Sequence, residues 1–156
     1  MDEILKDVYT WSVYSGEKKL HFNGYFITAQ NPLFGNIVID PPQASDSDLE
    51  QMESLGSVQH IIITNQDHIR NSKKFQQKFG AEIQINANDE RSSVLISDHN
   101  FNHGDMIAGF LQAVVIPDNK SPGETALFWA DRKILFLGDA LIGKPKGAVT
   151  LLPEEK

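Results

Sequence analysis

Asp67 and His68 stand side by side in the stretch IIITNQDHIRNS, residues 61–72. Four apolar or β-branched residues lead into a polar turn, and the acid and the imidazole fall where a helix begins. Carboxylate and imidazole are ligand types for zinc, iron or manganese, so the corner reads as part of a metal site, with Asp67 as its candidate catalytic carboxylate. The same pair has a purely structural reading. An aspartate near a helix N-terminus caps it or meets the macrodipole, which is worth about 0.5–2 kcal/mol.

The rest of the composition limits the chemistry. The 156 residues suit one domain with a sizeable core, and 40% hydrophobic with 22% charged residues is ordinary for a globular chain. The net charge of −7, from 14 basic and 21 acidic residues, argues against a phosphate-backbone binder. Only the short pairs Lys18-Lys19 and Lys73-Lys74 interrupt that balance. No cysteine is present, which excludes disulfides, thiolate ligands and a cysteine nucleophile. No apolar run approaches the roughly 20 residues of a membrane span, and the start, MDEILKDVYT, lacks the basic and apolar regions of a signal peptide. These features predict a cytoplasmic protein whose partner is a small molecule or a protein, not nucleic acid or membrane.

The elements that must position the pair can be read from periodicity. Residues 7–14, 21–29 and 36–42 predict three strands in an antiparallel meander, the last stopped by Pro41-Pro42. Ser47 with Glu50 predicts a capping box, and Leu49, Met52 and Leu55 recur at helical spacing before Gly56. A strand at 60–64 follows. A helix then starts near Asp67, with Ile69, Ser72, Phe75 and Phe79 on one face and Gly80 at its end. With a strand at 82–86, this helix–strand–helix–strand order implies parallel pairing. Further strands are predicted at 93–97, 110–117, 125–130 and 134–140. The class is α/β with a strong antiparallel share.

In this order the pieces NGYFI (23–27), IVIDPP (37–42), TNQDH (64–68), the Gly104-Asp105 turn, SPGET (121–125) and LFLGDALIG (135–143) resemble the metallo-β-lactamase fold. The resemblance runs from about Asp7 to Gly143. It implies a four-layer αβ/βα sandwich, with mixed sheets and helices on the outer faces, in a single domain over residues 1–156. The C-terminal half is short, which reads as either a natural minimal version or a shortened chain.

In that family a His-x-His-x-Asp-His motif, a third histidine before a Thr/Ser-Pro-Gly turn, a bridging aspartate and a final histidine hold two metals that share a hydroxide. The metals lower the pKa of that water. Here Asp67 and His68 match the Asp-His pair, and Asp139 in LGDA matches the bridging aspartate. The degenerate positions are Ile63 and Asn65, where the first two histidines fall without a gap, and Lys120, where the third falls. Ile63 cannot ligate, Asn65 offers only an amide oxygen, and an ammonium is no ligand at neutral pH. No histidine follows His103. His21, His60, His99 and His103 match no ligand position and read as surface or turn residues.

The resemblance thus implies an incomplete site, with either no metal or one weakly held zinc, manganese or iron on Asp67, His68 and Asp139. It predicts a metallo-hydrolase-like binding or regulatory domain that does not hydrolyse by the family mechanism. The alternative is a diverged mononuclear hydrolase of an ester, thioester or phosphoester. Lys120 is expected to fill the cation position and pair with Asp139 or Asp67, or else to be an exposed loop lysine. Asp40 is expected to be a structural acid at a strand end. An uncovered apolar sheet in a short sandwich predicts a homodimer.

Overall fold

The computed structural model describes residues 1–92, 95–143 and 147–150. A seven-stranded sheet has the order β1 (Asp2–Leu5), β2 (Val8–Ser15), β3 (Leu20–Ile27), β4 (Ile37–Ile39), β5 (His60–Ile63), β6 (Glu82–Asn86), β7 (His99–Phe101). Pairing is antiparallel from β1 to β4 and parallel from β4 to β7, as the meander and the helical crossovers require. A second sheet, antiparallel throughout, has β8 (Met106–Ile107), β9 (Leu111–Val115), β10 (Thr125–Trp129) and β11 (Ile134–Phe136) in the order β11-β10-β9-β8.

The central strands β4 and β5 are isoleucine-rich because both their faces are covered. Ile37, Ile39 and Ile62 face the second sheet and pack with Leu111, Leu127, Trp129 and Phe136. Val38, Ile61 and Ile63 face the helices and pack with Met52 and Phe75. Those helices are α1 (Asp46–Ser54) and α2 (Ser72–Phe79). The expected sandwich of two sheets with helices is therefore found, the larger sheet mixed and the smaller one antiparallel. Among the described residues the helices all precede Ser93, and the smaller sheet carries none on its outer face.

Several boundaries differ from expectation, each for a local reason. The α1 cap is Ser45, not Ser47: its Oγ accepts the Asp48 N–H, and the Asp48 carboxylate accepts the Ser45 N–H. The Met1 ammonium also pairs with Asp48, which makes this acid more useful than Glu50 at the helix start. Asp67 lies in a separate 3-10 turn, Gln66–His68, and α2 begins only at Ser72. Gly80 ends α2 in the left-handed conformation (φ 68°).

Of the strand predicted at 93–97, residues 93 and 94 lie outside the described residues, and Leu95–Ser97 form no strand. A short helix, α3 (Ala87–Ser92), precedes them. The pairing with β6 begins at Asp98 instead. Its N–H donates to Ile83 O (2.9 Å), and its carboxylate accepts the Ile83 N–H (2.7 Å). Strand β1 was not expected; all four of its residues are exposed, so it carries no buried periodicity. Among the described residues no helix is long and apolar enough to cross a membrane.

Candidate functional site

Three loops meet at one edge of the sandwich. Asp40 follows β4, Thr64 to His68 follow β5, and Asp139 follows β11. Asp40 is buried and takes a left-handed backbone (φ 49°), which turns its carboxylate across to the β5 loop. Thr64 donates to it twice, from its N–H to Oδ1 (2.8 Å) and from Oγ1 to Oδ2 (2.6 Å). Arg70, also left-handed (φ 40°), donates Nη1 to Asp40 O (3.1 Å) and Asn23 O (2.9 Å), with its guanidinium over the Phe22 ring. Asp40 is thus the strand-end structural acid expected, and it is held from two sides.

His68 lies between two acids. Nδ1 donates to Asp40 Oδ2 (2.9 Å), and Nε2 faces Asp139 Oδ1 (3.0 Å). Burial alone would lower its pKa. The charge of Asp40 and the hydrogen bonds to Asp139 and Asp40 outweigh that burial and push the imidazole up to about 9. At neutral pH it is an imidazolium donating from both nitrogens. Burial pushes the Asp139 carboxyl up, but the His68 hydrogen bond and charge, with Arg70 and Lys120, hold it below its ordinary value.

The other matched and degenerate positions are placed as follows. Asp67 is not on His68's carboxylate side; its Oδ2 pairs with Lys120 Nζ at 3.0 Å across the loop tops, both side chains about half exposed. Ile63 is fully buried in the helix-side core and does not face the site. Asn65 is fully buried, and neither its Oδ1 nor its Nδ2 has a hydrogen-bond partner.

Two residues here escaped sequence reasoning. Glu124, inside SPGET, is fully buried, and its Oε1 accepts the Asp139 N–H (2.8 Å) while Oε2 has no partner. Burial, against the hydrogen bond from Asp139, raises its carboxyl to about 7, with the nearby carboxylates adding to the shift. An acid directly before the apolar run TALFW was the available signal. Asp89, also fully buried, accepts from Gln66 N (2.9 Å), Ser121 Oγ (2.6 Å) and Gly123 N (2.6 Å), and so fixes the Ser121–Glu124 turn against the β5 loop. It sits in α3, a helix that the sequence did not announce.

A divalent metal does not fit this donor set as it is arranged. Each imidazole nitrogen of His68 is taken up by a carboxylate, Nδ1 by Asp40 at 2.9 Å and Nε2 by Asp139 at 3.0 Å. Asp67 turns to Lys120. Among the described residues, no three His, Asp or Glu side chains converge to hold a metal ion. The arrangement is one of alternating charge: Asp40, His68 and Asp139 in a row, with Lys120 and Asp67 beside it.

A two-sheet sandwich with an acid–imidazole–acid edge built on the loops after β4, β5 and β11 defines a metallo-hydrolase-like protein with a changed metal edge. The family model of the metallo-beta-lactamase superfamily matches residues 3–156, and the chain belongs to that superfamily. A metallo-beta-lactamase family protein from Thermus thermophilus is similar in structure, with TM-score 0.71 and 15% identity over 91% of this chain and 62% of its own. TTHA1623 in a di-iron-bound form gives TM-score 0.67 and 19% identity over 85% of this chain and 73% of its own. A beta-lactamase domain protein from Burkholderia ambifaria gives 0.69 and 14% over 90% and 54%. At these identities the likeness shows the fold alone. The chain spans less than two thirds of the length of the Thermus thermophilus family protein and of the Burkholderia chain. No curated protein matches the chain.

Proposed function

We propose that this chain is a metallo-β-lactamase-fold binding or regulatory domain, working without the family's hydrolytic metals in a reducing, cytoplasmic setting. The observation that carries the reading is His68 bonded to Asp40 at 2.9 Å and Asp139 at 3.0 Å through its two nitrogens. The two carboxylates lie on opposite edges of one ring, and a cation between them favours the charged form of both. In this chain the imidazolium supplies that charge, and Lys120 balances Asp67 in the same way. A metal would first have to displace a proton from an imidazole whose pKa stands at about 9. The absence of cysteine is what supports the compartment.

The test is elemental analysis of protein purified without chelator, with zinc and manganese titrations by calorimetry on the wild type and on His68→Gln. No stoichiometric metal in either protein is the expected result. Near-stoichiometric metal in the wild type that is lost in His68→Gln would overturn the reading in favour of a mononuclear hydrolase.

A further inference from the structure

Helix α2 is a basic segment in an acidic chain. It carries Lys73, Lys74 and Lys78 and no acid, against a net charge of −7. Lys74 and Lys78 are four residues apart and share one face of the helix. Lys73 turns elsewhere, its Nζ donating to Gln76 Oε1 (3.3 Å) and Ile96 O (3.1 Å). Beside the Lys74 and Lys78 face, a cavity of about 210 Å³ opens between α2 and the start of α1. Its apolar wall is the buried Phe75, with Ala44 and Leu49 half-buried against the same core. Its polar groups come from Gln43, Asn71, Lys74 and Lys78, and among the described residues no acid lines it.

We propose that this cavity binds a small apolar carboxylate, with its apolar body on Phe75, Ala44 and Leu49 and its carboxylate at the Lys74 ammonium. Charge selects an anion, and the pairing of the two lysines selects a monoanion. Lys78 Nζ is already shared with Glu53 Oε1 (2.8 Å). Lys74 has no ion-pair partner among the described residues, so about one positive charge stands uncompensated at the mouth. A carboxylate matches that charge, and a dianionic phosphate exceeds it.

Size and bracing select the rest. Drug-sized ligands take roughly 300–1,000 Å³. The smaller volume here limits the occupant to one ring or a short branched chain. The two walls are tied to each other without a ligand. Asn71 N–H donates to Pro41 O (3.1 Å), and Arg70 Nη1 donates to Asp40 O (3.1 Å), so the segment leading to Gln43 and Ala44 is fixed against the start of α2. A pocket held in this way spends little binding energy on ordering its walls. The site does not depend on whether the His68 edge holds a metal.

Titration of the full isotope-labelled chain with phenylacetate, followed by the NMR shifts of amide and indole N–H groups, tests this. Trp11 stacks on Phe75 with ring centroids 5.9 Å apart, so its indole N–H reports on the pocket. Trp129, in the smaller sheet, is the internal control. Saturable shifts are expected at Ala44, Asn71, Lys74 and the Trp11 indole, with a dissociation constant of about 0.1–1 mM for a ligand of this size. Phenylacetamide, phenethylamine and inorganic phosphate are each expected to bind at least about tenfold more weakly. Lys74→Glu, at an exposed position, is expected to weaken phenylacetate by at least about tenfold with an unchanged circular dichroism spectrum. Lys73→Glu makes the same charge change one residue away, outside the lining, and is expected to stay within about twofold of the wild type. No saturable shift up to about 10 mM phenylacetate would overturn the proposal. So would equal binding of the amide, the amine or phosphate, or equal weakening by the two variants.

Discussion

The His68 ring is bonded at both edges, Nδ1 to Asp40 at 2.9 Å and Nε2 to Asp139 at 3.0 Å. Asp40 belongs to the larger sheet and Asp139 follows the last strand of the smaller one. His68 is therefore a charged strut between the two layers as well as the neutraliser of both acids. Thr125 N–H, at the start of β10, donates to Thr64 O (2.9 Å) and ties the same two layers at the backbone.

Removing that strut leaves two buried or half-buried carboxylates facing each other without a cation. Breaking a buried pair by deleting one partner costs about 3–5 kcal/mol. His68→Ala is expected to lose stability in that range at pH 7, read from urea unfolding midpoints at unchanged slope. A loss below about 1 kcal/mol, the size of an exposed pair, would mean that His68 carries no such charge.

The pH dependence follows from two raised pKa values. His68 stands at about 9 in the folded chain against an ordinary 6.5, so its stabilisation is full below 6.5 and is lost as pH rises through 9. Glu124 stands at about 7 against 4.5, so the folded state holds the extra proton between those values and stability again falls as pH rises from 4.5 through 7. Asp139 and Asp48, both lowered, act the opposite way and lose their contribution as pH falls below the ordinary carboxylate range. Thermal unfolding is expected to show a maximum on the acidic side of neutrality and a decline up to pH 9. His68→Gln should flatten the limb from 6.5 to 9; an unchanged limb in that variant would refute the assignment.

Glu124→Gln separates the second contribution. Gln keeps an oxygen to accept the Asp139 N–H and never ionises. Its thermal midpoint is expected to exceed the wild type by several degrees at pH 8, where the buried Glu124 is ionised, and to match it at pH 4.5. Equal differences at the two pH values would show that Glu124 does not titrate near 7.

How much of this could be read from the chain depends on the distance over which each feature is specified. The Asp67-His68 pair, Asp139 in LGDA and the parallel order of β4, β5 and β6 are local or periodic signals, and they were legible. Asp40 was legible as a strand-end acid, but its bond to His68, 28 residues away, was not. The orphaned Asn65 amide and the raised Glu124 carboxyl arise from burial by loops distant in sequence, which no spacing encodes. Strand β1 and helix α3 were missed because one is wholly exposed and the other is six residues long, too short to show a period. Lys120 was legible as a cation near the acids; its choice of Asp67 over Asp139 depends on which loop it crosses.

Gly138 tests how tightly this polar edge is packed. A Cβ at that position would lie 2.5 Å from Glu124 Oε1, 2.6 Å from Thr64 Oγ1 and 2.7 Å from Asn65 Nδ2. All three belong to buried side chains, and Thr64 Oγ1 is already spent on Asp40. None can retreat without breaking a hydrogen bond or shifting a loop. Gly138→Ala is therefore expected to cost about 1–3 kcal/mol, the usual range for overpacking, and to weaken the Thr64–Asp40–His68 chain with it. Gly16→Ala is the control: its Cβ meets nothing within 4 Å, and that change should stay within about 0.5 kcal/mol of the wild type. Both are read from urea unfolding at pH 6. Equal midpoints for the two variants would show that Thr64, Asn65 and Glu124 are not held against the Gly138 backbone, and that the edge has room to rearrange around a ligand.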